Sequence, residues 1–137
     1  MIESHEGGCL CGKVRYMVAG PLRGVSCCHC SQCRRQTGLY YATTEAAAAD
    51  MTILGGDNLS TYRASTIAIR QFCKICGSAL FWIGDNSDRI GILAGSLDAP
   101  TGLKLTHHIF CESKGDYYTI NDGLPQFTGE PEEAERL

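Results

Sequence analysis

The segment Phe72-Cys73-Lys74-Ile75-Cys76-Gly77-Ser78-Ala79-Leu80-Phe81 carries two cysteines between two apolar runs. Two cysteines separated by two residues can turn both sulfurs onto one cation. The glycine that follows permits a turn tight enough to aim backbone N–H groups at thiolate sulfur. Before the pair, Ile67 to Phe72 reads as a strand; after it, Ala79 to Ile83 is an apolar run suited to a central strand. The segment is thus a strand, a metal knuckle and a second strand.

Outward from this point the chain continues in short strand-like runs punctuated by 16 glycines. Val14, Tyr16 and Val18 alternate onto one face. Leu39 to Thr44, Met51 to Leu54, Leu59 to Arg63, Arg89 to Leu93, Leu105 to Phe110 and Tyr117 to Ile120 are further strand candidates. Helical signal is scarce: one turn is expected over Ser31 to Gln36, and the four alanines from Ala46 to Ala49 are too few to hold a helix alone. The expectation is a single mostly-β domain over residues 1–129, a sandwich or folded-over sheet, with an acidic polar tail over 130–137.

At 137 residues the chain can build a core without staples, yet it carries nine cysteines. A content of 44% hydrophobic and 20% charged residues argues against disorder, and a formal charge of −3 argues against a nucleic-acid partner. The opening Met1–Glu6 has neither a basic cluster nor a following apolar run, so no secretory signal is expected there. No run approaches the ~18 apolar residues of a membrane span. The expected compartment is therefore the reducing cytoplasm, where clustered thiols bind metal rather than pair as disulfides.

The cysteines form three groups: Cys9 and Cys11; Cys28, Cys30 and Cys33; and Cys73 and Cys76. Two pairs can close a tetrahedral Cys₄ zinc, which is saturated and hence structural; the triplet can hold a second zinc with its fourth position open. Spacing alone leaves other partitions open, such as Cys28, Cys30, Cys73 and Cys76 on one ion, or a histidine (His5, His29, His107 or His108) closing the triplet site. In an extended Cys-His-Cys segment His29 points away from its neighbours. Cys27 and Cys111 read as buried small apolar residues, Phe81 and Trp82 as core, and Asp122-Gly123-Leu124-Pro125 as a turn.

These segments resemble one family. Gly7-Gly8-Cys9-Leu10-Cys11-Gly12-Lys13-Val14-Arg15-Tyr16 is similar to its opening signature, and Cys28-His29-Cys30-Ser31-Gln32-Cys33-Arg34-Arg35-Gln36-Thr37-Gly38 to its second. The Phe72–Phe81 stretch resembles the third, and His108-Ile109-Phe110 through Lys114, with Asp122 to Phe127, the closing one. On these motifs the chain is identified as a member of the glutathione-dependent formaldehyde-activating enzyme family, which also includes the centromere protein V domain. The resemblance implies a β-tent fold of folded-over antiparallel sheets with little helix. It also implies two Zn²⁺ per chain, a structural ion on Cys9, Cys11, Cys73 and Cys76 and a catalytic ion, in a site open enough to fill only partly, on Cys28, Cys30 and Cys33.

The implied activity is that of a carbon–sulfur lyase, an S-(hydroxymethyl)glutathione synthase, joining a small thiol such as glutathione to a small aldehyde such as formaldehyde. An open zinc position would ionise the thiol for attack on the carbonyl. Arg34 and Arg35, directly after the triplet, are candidates for the substrate carboxylates, and His108 for proton transfer at neutral pH. The rival reading is a non-catalytic, zinc-stabilised binding module.

Overall fold

The computed structural model describes residues 3–129; the acidic tail expected over 130–137 lies outside them. In chain order the strands are β1 (His5–Gly8), β2 (Arg15–Val18), β3 (Val25–Cys28), β4 (Tyr41–Ala47), β5 (Met51–Leu54), β6 (Leu59–Arg63), β7 (Ala68–Cys73), β8 (Ala79–Gly84), β9 (Arg89–Leu93) and β10 (Leu105–Ile109). One short helix, α1 (Ser31–Thr37), interrupts them. This is the mostly-β class expected from the alternating runs. The described chain divides into two compact units, one built from the residues up to Arg23 and from Thr44–Gly102, the other from Gly24–Thr43 and the residues from Leu103 onward.

In the first unit β1, β2 and β5 form an antiparallel sheet, with Tyr16 opposite Gly7 on one side and Ile53 on the other. The alternation read from the sequence sets which face is buried: Val14, Tyr16 and Val18 are fully buried, whereas Met17 points out. Strands β6, β7, β8 and β9 follow as an antiparallel meander. Tyr16 joins the two layers. Its ring meets Phe81 edge-on at 5.3 Å, and its hydroxyl bonds Ser96 Oγ at 2.6 Å, which in turn donates to the Leu93 carbonyl. Phe81 is core as expected, but Trp82 is 37% exposed, because successive residues of a strand face opposite sides.

In the second unit β3 pairs antiparallel with β4 and parallel with β10. The parallel pair departs from the all-antiparallel expectation. Some 80 positions separate the partners Cys27 and His108, so β10 arrives by a long crossover and not by a hairpin. The 122–127 segment then lies along β10: His108 N–H donates to Pro125 O and Phe127 N–H to His108 O, each at 2.9 Å. Two expected strand assignments shift. Tyr117 to Ile120 is irregular, and the strand expected over Leu105 to Phe110 stops at Ile109, with Cys111 opening a 3₁₀ turn (Cys111–Ser113). Side chains, described below, hold the 117–120 segment in place of a backbone ladder.

Gly55 is the glycine most constrained by its surroundings. Its φ of +75° lies in the left-handed region, and a Cβ there would overlap the Lys13 carbonyl oxygen. Gly102 also has positive φ (+71°) but open space around it. Urea unfolding of metal-saturated protein should therefore separate the two effects. Gly102→Ala is expected to cost about 1–2 kcal/mol from backbone strain alone. Gly55→Ala should cost about 1–3 kcal/mol more from the overlap.

Candidate metal centres and a buried polar chain

Cys9 follows β1, Cys11 sits at the tip of the next turn, Cys73 ends β7 and Cys76 closes its knuckle. Their four sulfurs all lie within 4.8 Å of one another, with Cys9 and Cys11 3.6 Å apart and Cys11 and Cys73 3.8 Å apart. The backbone does what the spacing requires. Val14 N–H points at Cys9 Sγ (3.3 Å) and Ile75 N–H at Cys73 Sγ (3.4 Å), while Gly77, at φ +79°, donates to the Cys73 carbonyl at 2.8 Å. Ser78 ties the knuckles together: its hydroxyl accepts from Leu10 N–H at 3.0 Å and lies 3.2 Å from Cys76 Sγ. The Ser78 hydroxyl, with backbone N–H groups, holds the Cys76 thiol down at about 5. Four thiols this close can ionise together only if a cation offsets their repulsion, so the donor set fits a soft tetrahedral metal ion.

The second cluster lies in the other unit. Cys28 ends β3, Cys30 is the N-cap of α1, and Cys33 sits buried in the helix's first turn. Their sulfurs also lie within 4.8 Å of one another, and Cys33 N–H donates to Cys30 Sγ at 3.4 Å. The neighbouring thiols of Cys30 and Cys33, together with burial, push the Cys28 thiol upward, again the signature of a donor set waiting for positive charge. The structure thus groups Cys73 and Cys76 with Cys9 and Cys11 and leaves the triplet by itself.

No fourth His, Cys, Asp or Glu joins the triplet among the described residues, and the histidines are engaged elsewhere. His5 bonds Glu3, and His107 Nδ1 meets Thr106 Oγ1 at 2.7 Å. His29 is fully buried. Its Nδ1 meets the Tyr118 hydroxyl at 2.6 Å and its Nε2 meets His108 Nδ1 at 2.9 Å. His108, also buried, uses Nε2 on Asp122 Oδ2 at 2.7 Å. The other carboxylate oxygen of Asp122 accepts from Leu124 N–H at 3.0 Å. The result is a continuous chain, Tyr118–His29–His108–Asp122. The Tyr40 ring packs against His29, and Lys114 Nζ stands 4.6 Å above the Tyr118 ring while bonding the Gly115 and Tyr118 carbonyls.

Burial keeps His29 neutral. Burial, then the nearby His108 and Lys114, lower His29 to about 4. The His108 hydrogen bond and the Leu124 N–H hold Asp122 below the usual carboxylate range, so it is an acceptor at neutral pH. Cys27 lies fully buried, its thiol pushed up to about 12 by burial. Cys111 is half-buried.

Arg34 is half-buried and lines a cleft of about 310 Å³ with Glu112, Ser113, Lys114, Gly115, Asp116 and Tyr117. No carboxylate lies within ion-pair distance of its guanidinium among the described residues. Arg35 is exposed and does not line this cleft. The sequence pointed to Arg34, His29 and His108 but not to Tyr118, Asp122 or Tyr40. Asp122 does form the expected turn through Leu124, yet nothing in its local sequence marks the second bond to His108.

Removing the middle of the chain should be the more damaging cut. His108→Ala leaves a buried His29 Nε2 without its partner, an expected loss of about 1–3 kcal/mol before any cavity cost. Tyr118→Phe also leaves a buried His29 nitrogen without its partner, but it keeps the ring in place and so costs about 1–3 kcal/mol with no cavity cost to add. Urea titration of both variants in metal-saturated form checks the ranking.

Three comparisons place the molecule. An uncharacterized lyase of Schizosaccharomyces pombe is 29% identical over 131 residues, 93% of each chain. A crystal structure of a Rhodobacter sphaeroides protein superposes with a TM-score of 0.59 at 26% identity, covering 74% of this chain and 99% of that one. The model of the glutathione-dependent formaldehyde-activating enzyme matches residues 4–113. The chain therefore belongs to the glutathione-dependent formaldehyde-activating enzyme family.

Proposed function

We propose that the protein is a zinc-dependent carbon–sulfur lyase that joins a small thiol of the glutathione kind to a small aldehyde of the formaldehyde kind, or reverses that addition. The observation that carries this reading is the triplet of Cys28, Cys30 and Cys33, three donors without a fourth among the described residues, running from the end of β3 into the helix that also carries Arg34. Family membership and the lyase name of the Schizosaccharomyces pombe relative support it. The cytoplasm suits a thiol set that must stay reduced.

Cys9, Cys11, Cys73 and Cys76 would hold a closed structural zinc, and Cys28, Cys30 and Cys33 an open one. When bound there, the second ion supplies an exchangeable position that lowers the pKa of an incoming thiol. The remaining work belongs to the chain. Arg34, half-buried and without a carboxylate partner among the described residues, receives a substrate carboxylate through a charge-assisted bidentate contact. Lys114 is occupied by two carbonyls and the Tyr118 ring, so it shapes the cleft wall and does not compete for that carboxylate. His108 cannot touch substrate directly while it is buried between His29 and Asp122, so it acts as support.

Metal analysis should give two zinc ions per chain, one of them lost first to a mild chelator. Cys30→Ser is the informative variant, because serine preserves the N-cap of α1 while removing a ligand sulfur. It should retain one zinc and a near-native melting temperature, whereas Cys73→Ser should lose the other ion and unfold the first unit at much lower temperature. Exchange NMR of glutathione with formaldehyde should show acceleration by wild type and none by Cys30→Ser. Arg34→Ala should raise KM roughly 10- to 100-fold, the size of a lost charge-assisted bond, with a smaller effect on kcat. Two equally inert zincs and no acceleration would point instead to the non-catalytic binding module.

A further inference from the structure

The hydrogen-bond chain can be assigned donors and acceptors group by group, starting from Asp122 at its exposed end. Its carboxylate only accepts. One oxygen takes the Leu124 N–H and the other faces His108 Nε2, so His108 must carry its proton on Nε2. With His108 carrying that single proton, its Nδ1 offers a lone pair that His29 Nε2–H fills, whereas an imidazolium would reverse the outer two bonds. His29 Nδ1 is thereby an acceptor, and the Tyr118 hydroxyl must donate to it. All three hydrogens point toward Asp122.

We infer that Asp122 is a positioning residue of the three-cysteine site, fixing through His108 and His29 the backbone that carries Cys28 and Cys30. His29 stands between these two cysteines in sequence, and its backbone N–H donates to the Ile109 carbonyl of β10 at 2.9 Å. Its ring is gripped at both nitrogens. The residue between the ligands therefore has neither a free torsion nor a ring nitrogen left to offer a metal. Asp122 lies in an irregular segment far along the chain and touches neither sulfur nor cleft, so its influence on the site passes through the imidazoles. The inference rests on the reading of Cys28, Cys30 and Cys33 as metal ligands, but the chain's direction stands apart from that reading and can be measured separately.

The test uses the full chain and two variants. In Asp122→Asn the oxygen that accepts from Leu124 leaves an NH₂ group facing His108, so the chain must run backwards. Long-range ¹⁵N–¹³C correlation spectra of the imidazoles should show both His29 and His108 protonated on Nε2 in wild type, and both on Nδ1 in Asp122→Asn. Asp122→Ala, which leaves His108 Nε2–H without its acceptor, should weaken Zn²⁺ at the three-cysteine site roughly tenfold in competition with a chromophoric chelator, as outer-shell losses do. The four-cysteine site should bind unchanged and serves as the internal control. Asp122→Asn, which keeps the chain connected, should bind both ions within about threefold of wild type.

An Nδ1 proton on either ring in wild type, or unchanged tautomers in Asp122→Asn, overturns the inference. So does equal weakening of both sites by Asp122→Ala, which would be general destabilisation, or no weakening at all. If wild type takes up only one ion while the tautomers switch as described, the positioning role is overturned together with the two-ion reading, and only the assignment of the chain survives. If two ions bind and the tautomers do not switch, the inference alone fails.

Discussion

Crowded sulfur is the constraint to which the rest of the molecule is fitted. Seven thiols are gathered into two sets, each with every sulfur within 4.8 Å of the others in its set. Such sets are tolerable as neutral thiols and become strongly favourable only when a cation compensates the charge of the ionised form. The backbone is built to the same end. N–H groups of Val14, Ile75 and Cys33 aim at sulfur, and glycines take the left-handed turns that no side chain accepts cheaply.

The hydrophobic core of the first unit combines the alternating face of β2 with adjacent buried residues of β8. Tyr16, Phe81, Leu80 and Ile92 are buried to within 1% of completely, and the bond from Tyr16 to Ser96 satisfies the one polar atom that this tyrosine carries inward. Packing there is apolar and local. The second unit places two histidines in its interior and satisfies them in series, a different solution that trades apolar burial for directional bonds. No helix of the described residues is long and apolar enough to cross a membrane.

The sequence was legible where chemistry depends on short spacing or strict period. Cys-x-Cys and Cys-x-x-Cys constrain geometry over two or three residues, and the alternation of Val14, Tyr16 and Val18 fixes a buried face; both could be read from the chain. The 117–122 segment could not. Tyr118 and Asp122 find His29 and His108 across 89 and 14 positions, and such long-range pairing leaves no periodic trace. A Tyr-Tyr pair before polar residues looks like a strand end, and Asp-Gly-Leu-Pro looks like a turn. Both readings are local, and the interaction that organises the segment is not. Trp82 failed for a related reason: an apolar run does not say which of two adjacent residues faces inward.

The N-cap of α1 is itself one of the triplet sulfurs, and this gives the helix an unusual dependence. Seven residues are too few to be helical on their own merits. The helix persists because Cys30 accepts at its first turn, Cys33 is buried, and Gly38 turns the chain out of it. Arg34 rides on that helix, one residue beyond Cys33. Whatever occupies the three sulfurs would therefore also hold Arg34 against its cleft, and whatever fills the cleft would favour the sulfurs in their gathered arrangement. By thermodynamic reciprocity the two affinities must then rise and fall together, so that a chain short of metal would also hold any anion at Arg34 weakly.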